Sequence, residues 1–282
     1  MISQLSLRSR CLATNAKRRQ MSLLDFHTKK HNKDKIAMVT CYDYTSARIA
    51  SDTGADCLLV GDSVAMTVHG FPDTLPATVA MMCAHTEAVH RGAGGMFLVA
   101  DLPFLSYRQS LSKSVGAVYE LMRAGAQAIK LEGAGSNLSL IKHLVESGVP
   151  VMGHLGLTPQ SVRGLGGYRI QGRTEASVKR LLDDSLSLQE CGCFGLVLEC
   201  IPAPVAKEIT DALTIPTIGI GAGPHTDGQV LVWQDMFGLN DDLKPKFVRH
   251  FLNGSQLFKQ GINEYAKAVK DGSFPDRQHC YE

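Results

Sequence analysis

Five short places in this chain carry side chains that could do chemistry: Asp62-Ser63, Asp101, Lys130 with Glu132, His154, and Glu199. Each stands at the end of an apolar run: CLLVGD (57–62), MFLVAD (96–101), AIKLEG (128–133), VPVMGH (149–154) and FGLVLEC (194–200). A carboxylate at the end of a buried strand is costly unless a cation or a hydrogen-bond donor meets it. Lys130 and Glu132 are two residues apart, so on a strand they face the same way. If they face inward, a cation and an anion share one site. Asp62, Asp101 and Glu132 brought together would repel and raise one another's pKa. A divalent cation relieves that repulsion, and an all-oxygen ligand set suits a hard ion such as Mg²⁺.

These residues need a scaffold that brings strand ends together. Besides the five runs above, IAMVTCY (36–42), PTIGI (216–220) and a weaker QVLVW (229–233) read as strands. Helical patterns alternate with them, among them ATVAMMCAHTEAVHRGA, in which Ala80, Ala84 and Ala88 share a face, and TEASVKRLLDDSLSLQECG. Gly54, Gly125, Gly148 and Gly192 follow helical stretches and suit the left-handed C-cap. Eight strand–helix repeats predict a parallel sheet closed as a (β/α)₈ barrel, with an open doubly wound sheet as the alternative. In a barrel every chemical strand end points to the C-terminal mouth, where such enzymes place their sites.

Composition sets the outer bounds. The chain has 282 residues, 44% hydrophobic and 20% charged, an ordinary globular balance. No apolar run approaches the ~18 residues of a membrane span. The net charge of +2 makes no case for nucleic acid. Residues 1–20 carry Arg8, Arg10, Lys17, Arg18 and Arg19 and no acidic residue, which leaves the rest of the chain mildly acidic. This Ser- and Arg-rich leader has the composition of a mitochondrial transit peptide, and Met21 offers a second start that would give a cytoplasmic form. Residues 21–282 are expected to be one catalytic barrel. The eight cysteines show no C-x-x-C pair and read as reduced thiols.

Weaker signals are assigned to structure. His85 and His90 are five apart and do not share a helix face as paired ligands would, so they read as surface or packing residues. Gly219-Ile-Gly221-Ala-Gly223 lacks dinucleotide-loop spacing and reads as a tight turn at the mouth. Lys29 to Lys35 reads as a solvated basic segment.

LLVGDS (58–63), TLPAT (74–78), ADLPF (100–104), KLEG (130–133), GHLGLTPQSV (153–162), GGYRIQGR (166–173), LECIP (198–202) and IPTIGIGAG…TDGQ (215–229) occur in order. Together they closely resemble the ketopantoate hydroxymethyltransferase family. Phe71-Pro72 departs from that family's usual loop and touches none of the chemical residues. The resemblance implies a (β/α)₈ barrel of the phosphoenolpyruvate/pyruvate type, a homo-oligomer that is commonly a decamer, and Mg²⁺. It implies transfer of a hydroxymethyl group from 5,10-methylenetetrahydrofolate to 3-methyl-2-oxobutanoate, early in the route to pantothenate and coenzyme A. By motif it implies that Asp62 and Asp101 are metal ligands that also meet the substrate, with Glu132 a third ligand, direct or through water. Ser63 and Lys130 contact the substrate carboxylate, His154 lies beside the substrate, and Glu199 is the catalytic acid–base. The rival readings are a C–C lyase on the same barrel and a barrel that has lost its chemistry.

Overall fold

The computed structural model describes residues 21–240 and 245–281; the leader expectation lies outside the described residues. The chain runs α1 (Leu23–Asn32), β1 (Ile36–Thr40), α2 (Tyr44–Ser51), β2 (Cys57–Val60), a single-turn α3 (Val64–Thr67), α4 (Val79–Gly92) and β3 (Phe97–Asp101). It continues through α5 (Leu111–Arg123), β4 (Ala128–Glu132), α6 (Leu138–Glu146), β5 (Val151–Gly156), α7 (Glu175–Glu190) and β6 (Gly195–Glu199). It finishes with α8 (Ala203–Ala212), β7 (Thr217–Ile220), β8 (Gly228–Leu231), α9 (Trp233–Met236) and α10 (Gly254–Asp271).

The eight strands form a closed parallel barrel in chain order, which excludes the open sheet. Closure is the pairing of β8 with β1, Ile36 opposite Gly228 and Val39 opposite Leu231. Gly228 is required there: a Cβ would strike the Ile36 carbonyl. Alternate residues of each strand point inward. Met38, Leu59, Val99, Met152, Val197, Ile218 and Val230 belong to one buried apolar cluster that fills the barrel interior. Phe26 of α1 joins it and is fully buried, edge-on to Phe97 and Phe194 at 5.1 and 5.2 Å. Thus α1 plugs the N-terminal end. A second, larger cluster lies between strands and surrounding helices.

Several expectations need correction. Lys29 to Lys35 is not merely solvated. Lys30 reaches Asp227 at 2.8 Å and Lys29 reaches Asp56 at 3.1 Å. Lys35 bonds the Thr226 carbonyl at 2.5 Å, so the cluster pins α1 to the barrel floor. Gly125, Gly148 and Gly192 are left-handed as expected, but Gly54 is not. On α4 the buried face is Met82, Thr86 and Val89, while Ala80 and Ala84 are exposed. β7 and β8 are joined by a turn through Gly221 and Gly223 with no helix between them.

That missing cover shows on the outside of the barrel. β2, β3 and β4 are buried at every position, as strands covered on both faces should be. On β1 and β8 the outward Ala37 and Gln229 are exposed, and Val39 and Leu231 only half-buried. The helix that follows them, α10, does not cover this seam. Beyond Ser255 none of its residues is buried, and Phe258, Ile262, Tyr265 and Val269 form an exposed apolar stripe.

Candidate active site

The inward alternation that fills the barrel with apolar side chains continues upward into a polar layer. Inward positions above Val99, Ala128, Met152 and Val197 are Asp101, Lys130 with Glu132, His154, and Glu199. Strand register then sets which of them meet. Asp101 lies opposite Lys130, Glu132 opposite His154, and Gly156 opposite Glu199. Accordingly Lys130 Nζ is 3.1 Å from Asp101 Oδ1 and 3.3 Å from His154 Nδ1. His154 Nδ1 is 3.5 Å from Glu132 Oε1, and its Nε2 is 3.2 Å from Glu199 Oε2. Lys130 and Glu132 do face inward together, and all of these groups except Glu199 are buried.

Asp62 joins by a different route. β2 ends at Val60, so Asp62 sits in the turn leading into α3 rather than at the strand end. Its backbone N–H donates to Asp101 Oδ2 at 3.1 Å, and its Oδ2 accepts from Gln160 Nε2 at 2.9 Å. Ser63 is half-buried, with Oγ 2.8 Å from the Tyr42 hydroxyl. β5 runs to Gly156, so His154 is an interior residue of its strand and not its last. Gly156 has φ +94°, and a Cβ there would strike the Glu199 carbonyl, so this glycine lets β5 pass close to Glu199. Directly after Glu199, Cys200 is held left-handed at φ 48°, a strained turn of the kind functional sites retain.

Sequence reasoning passed over the residue that ties the layer together. Gln160 is buried and makes four contacts. Its amide bonds Asp62 and the Leu102 carbonyl, both at 2.9 Å, its backbone N–H donates to Glu132 Oε2 at 3.0 Å, and its Oε1 accepts from Tyr107 at 2.8 Å. Its only signal was membership of GHLGLTPQSV. His85 also exceeds a packing role. Its Nδ1 meets the Tyr42 carbonyl at 2.6 Å and its Nε2 meets His69 Nε2 at 2.9 Å. It therefore buttresses the tyrosine that holds Ser63. The ring of His90 packs over Gly125, as a packing residue should.

The electrostatics follow from burial. Asp62 is pushed well above the usual carboxylate range by burial and by the Asp101 and Glu132 charges. Asp101 is also raised by burial, with Lys130 pulling against it. Burial alone would lower Lys130, but Asp101, Glu132 and Asp62 outweigh it and hold the ammonium above its ordinary value. Burial and Lys130 lower His154, yet Glu132 and Glu199 prevail and raise it to about 9. At neutral pH the imidazole is therefore charged, and the Lys130–His154 approach is a close pass of two cations flanked by carboxylates.

Four carboxylates face one ammonium and one imidazole, so the layer is short of positive charge. Asp101 Oδ1 is buried without an aligned hydrogen bond and is ion-paired with Lys130. A divalent cation fits that deficit, and Asp62 and Asp101 are the residues that would hold it. Glu132 is turned to the Gln160 N–H and to His154, which suits contact through water. Among the described residues no three acidic, His or Cys side chains already form a closed ligand cage.

Fold and site together define a (β/α)₈ barrel of the enzyme class that gathers buried acidic and basic side chains at its C-terminal mouth. Comparison with known proteins narrows this. Residues 20–277 match the model of the family described as ketopantoate hydroxymethyltransferase. A 3-methyl-2-oxobutanoate hydroxymethyltransferase of Bdellovibrio bacteriovorus is 55% identical over 260 residues, 92% of this chain and 99% of the relative. One of Coxiella burnetii is 52% identical over 263 residues, covering 93% and 99%. The chain belongs to the ketopantoate hydroxymethyltransferase family and is a hydroxymethyltransferase. Solved structures share the fold at low identity. Phosphonopyruvate hydrolase in complex with oxalate and Mg²⁺ gives a TM-score of 0.60 at 10% identity, covering 92% of this chain and 93% of that one. A 2,3-dimethylmalate lyase of the PEP mutase/isocitrate lyase superfamily gives 0.55 at 17%, covering 89% and 98%. The lyase reading therefore shares the architecture but not the sequence family.

Proposed function

We propose that this enzyme converts 3-methyl-2-oxobutanoate to 2-dehydropantoate with 5,10-methylenetetrahydrofolate as one-carbon donor, a step toward pantothenate and coenzyme A. The observation that carries the reading is the buried polar layer in which Lys130 and His154 are interleaved with Asp101, Glu132 and Glu199. Asp62 and Asp101, with Glu132 behind them, would hold Mg²⁺. That ion, when bound, supplies Lewis-acid polarisation of the 2-oxo group. Lys130 and Ser63 receive the substrate carboxylate, and the Lys130 ammonium places positive charge where the enolate gathers negative charge. Glu199 takes the C3 proton. Charged His154, 3.2 Å from Glu199 Oε2, fixes that carboxylate and leaves its other oxygen for the proton. The enolate then takes up the one-carbon unit at the oxidation level of formaldehyde. One water completes the hydroxymethyl group, and the two folate nitrogens that held the methylene take up one proton each, one derived from C3 and one from that water.

The test is C3 deuteration of 3-methyl-2-oxobutanoate in heavy water, followed by NMR with Mg²⁺, with EDTA, and then with the folate added. Exchange that needs the metal, with 2-dehydropantoate formed only when folate is present, is expected. Glu199→Gln should lower exchange by about 10²–10⁴ while metal binding persists. Undiminished exchange in that variant would move the base to another group.

We also propose a homo-oligomer, with the uncovered β8–β1 seam of one copy taking α10 of another. Among the described residues, its own chain gives the seam only the single-turn α9, whose Trp233 N–H bonds Thr40 at the top of β1, and α10 offers an apolar stripe that its own barrel does not use. A second copy is the occupant this stripe suits, because every copy carries a half-buried apolar seam for it to cover. Residues 1–20 are proposed to direct import into mitochondria. A fusion of residues 1–25 to a fluorescent reporter that stays cytosolic would refute this.

A further inference from the structure

We infer that the groove between the N-terminal ends of α5 and α6 seats the anionic tail of the one-carbon donor. The inference rests on the folate reading above. The groove holds about 390 Å³ and is walled by the β3–α5 and β4–α6 connections, so it opens on the same mouth as the polar layer. Volumes of roughly 300–1,000 Å³ are usual for small-molecule sites.

Its chemistry is one-sided. Arg108, Ser110, Ser114, Ser136, Ser139 and His143 supply the polar lining, and no acidic residue takes part. This stands out in a body whose net charge is negative. Ser110 caps α5, its Oγ accepting from the Lys113 N–H, and Ser114 Oγ donates to the Ser110 carbonyl behind it, while Ser139 and His143 are four apart on α6 and present one face. The side chains of Ser136, Ser139 and His143 make no hydrogen bond to another described residue. Both helices point their N-termini at the groove, where partial positive charge accumulates. Donors without carboxylates, beside a guanidinium, select an anion.

Arg108 connects this groove to the reacting centre. Its Nη2 lies 3.4 Å from the Glu132 carbonyl, and its guanidinium stands over the Tyr107 ring at 5.6 Å. A ligand using both places must be elongated, with its reactive end over Glu132 and Glu199 and negative charge at its far end. The 2-oxo acid is too short for that. The donor folate has that form: a reactive methylene on the pterin, an aminobenzoyl spacer, and a glutamate bearing two carboxylates.

The experiment compares equilibrium binding of tetrahydrofolate and of tail-less 6-methyltetrahydropterin to the full chain with Mg²⁺, by fluorescence titration. The variants are Ser139→Glu with His143→Glu, and the milder Ser139→Ala with His143→Gln. All four changes fall on the exposed surface of α6, and circular dichroism reports their fold. The wild-type chain should bind tetrahydrofolate about tenfold more tightly than the tail-less pterin. Charge reversal should weaken tetrahydrofolate about tenfold and leave the pterin within about twofold, with the neutral pair in between. Equal losses for both ligands, or none for tetrahydrofolate, would overturn the groove. C3 deuteration without folate reads the other half of the site. Exchange with tail-independent binding defeats the groove alone. Tail-dependent binding without exchange supports the groove and defeats the proposed reaction.

Discussion

His154 shows how much a single residue depends on its ring of neighbours. Its imidazole stays charged to about pH 9 because Glu132 and Glu199 outweigh burial and Lys130. Its ordinary value is near 6.5, so between the two values the folded chain holds a proton that the unfolded chain releases. The resulting stability is complete below about pH 6.5 and is lost as pH rises through about 9. In protein treated with EDTA, urea unfolding should therefore lose on the order of 2–3 kcal/mol across that window. His154→Gln should flatten the profile, and an equally steep profile in the variant would remove His154 as its source. At this scale the charged members of the site were legible in the sequence, since each closes an apolar run. Gln160 was not. A neutral amide has no signature until four partners from distant segments converge on it, which only the folded chain brings about.

At the scale of elements, register does the positioning. Asp101, Lys130, Glu132 and His154 meet because adjacent strands are staggered so that inward positions coincide. Strand runs and their order could be read from apolar patterning, and the strand ends that shifted did so by no more than two residues, as at β1, β2, β5 and β8. The role of α1 could not be read, because nothing in a helix before the first strand says which end of a barrel it closes. Phe26 makes that role testable. Phe26→Ala should lower the free energy of unfolding by about 3–5 kcal/mol, the usual cost of an emptied aromatic site. C3 exchange well below the transition should persist, because the plug lies at the opposite end from the chemistry. A loss under 1 kcal/mol would show that α1 is only loosely seated. Lys29 and Lys30 reinforce it through Asp56 and Asp227, pairings that a run of like charges in sequence conceals.

For the whole molecule, the proposed homo-oligomer would make the uncovered seam and the unused α10 two halves of one arrangement. Phe258 and Ile262 are exposed by 64% and 65%, in the middle of the stripe. Phe258→Glu with Ile262→Glu should reduce the mass measured by sedimentation and leave the far-ultraviolet helix signal in place. An unchanged mass would exclude α10 as the contact. Such an exchange also changes where damage is felt. A lesion in α10 then leaves the wall of its own barrel untouched and strips the wall of its neighbour. Mixed assemblies of two defective chains, one with a broken stripe and one with a broken seam, would contain some complete units. A chain with a broken stripe would in turn expose sound partners. In a cell carrying two alleles, the first pairing reads as complementation and the second as dominance, though neither lesion lies near the chemistry.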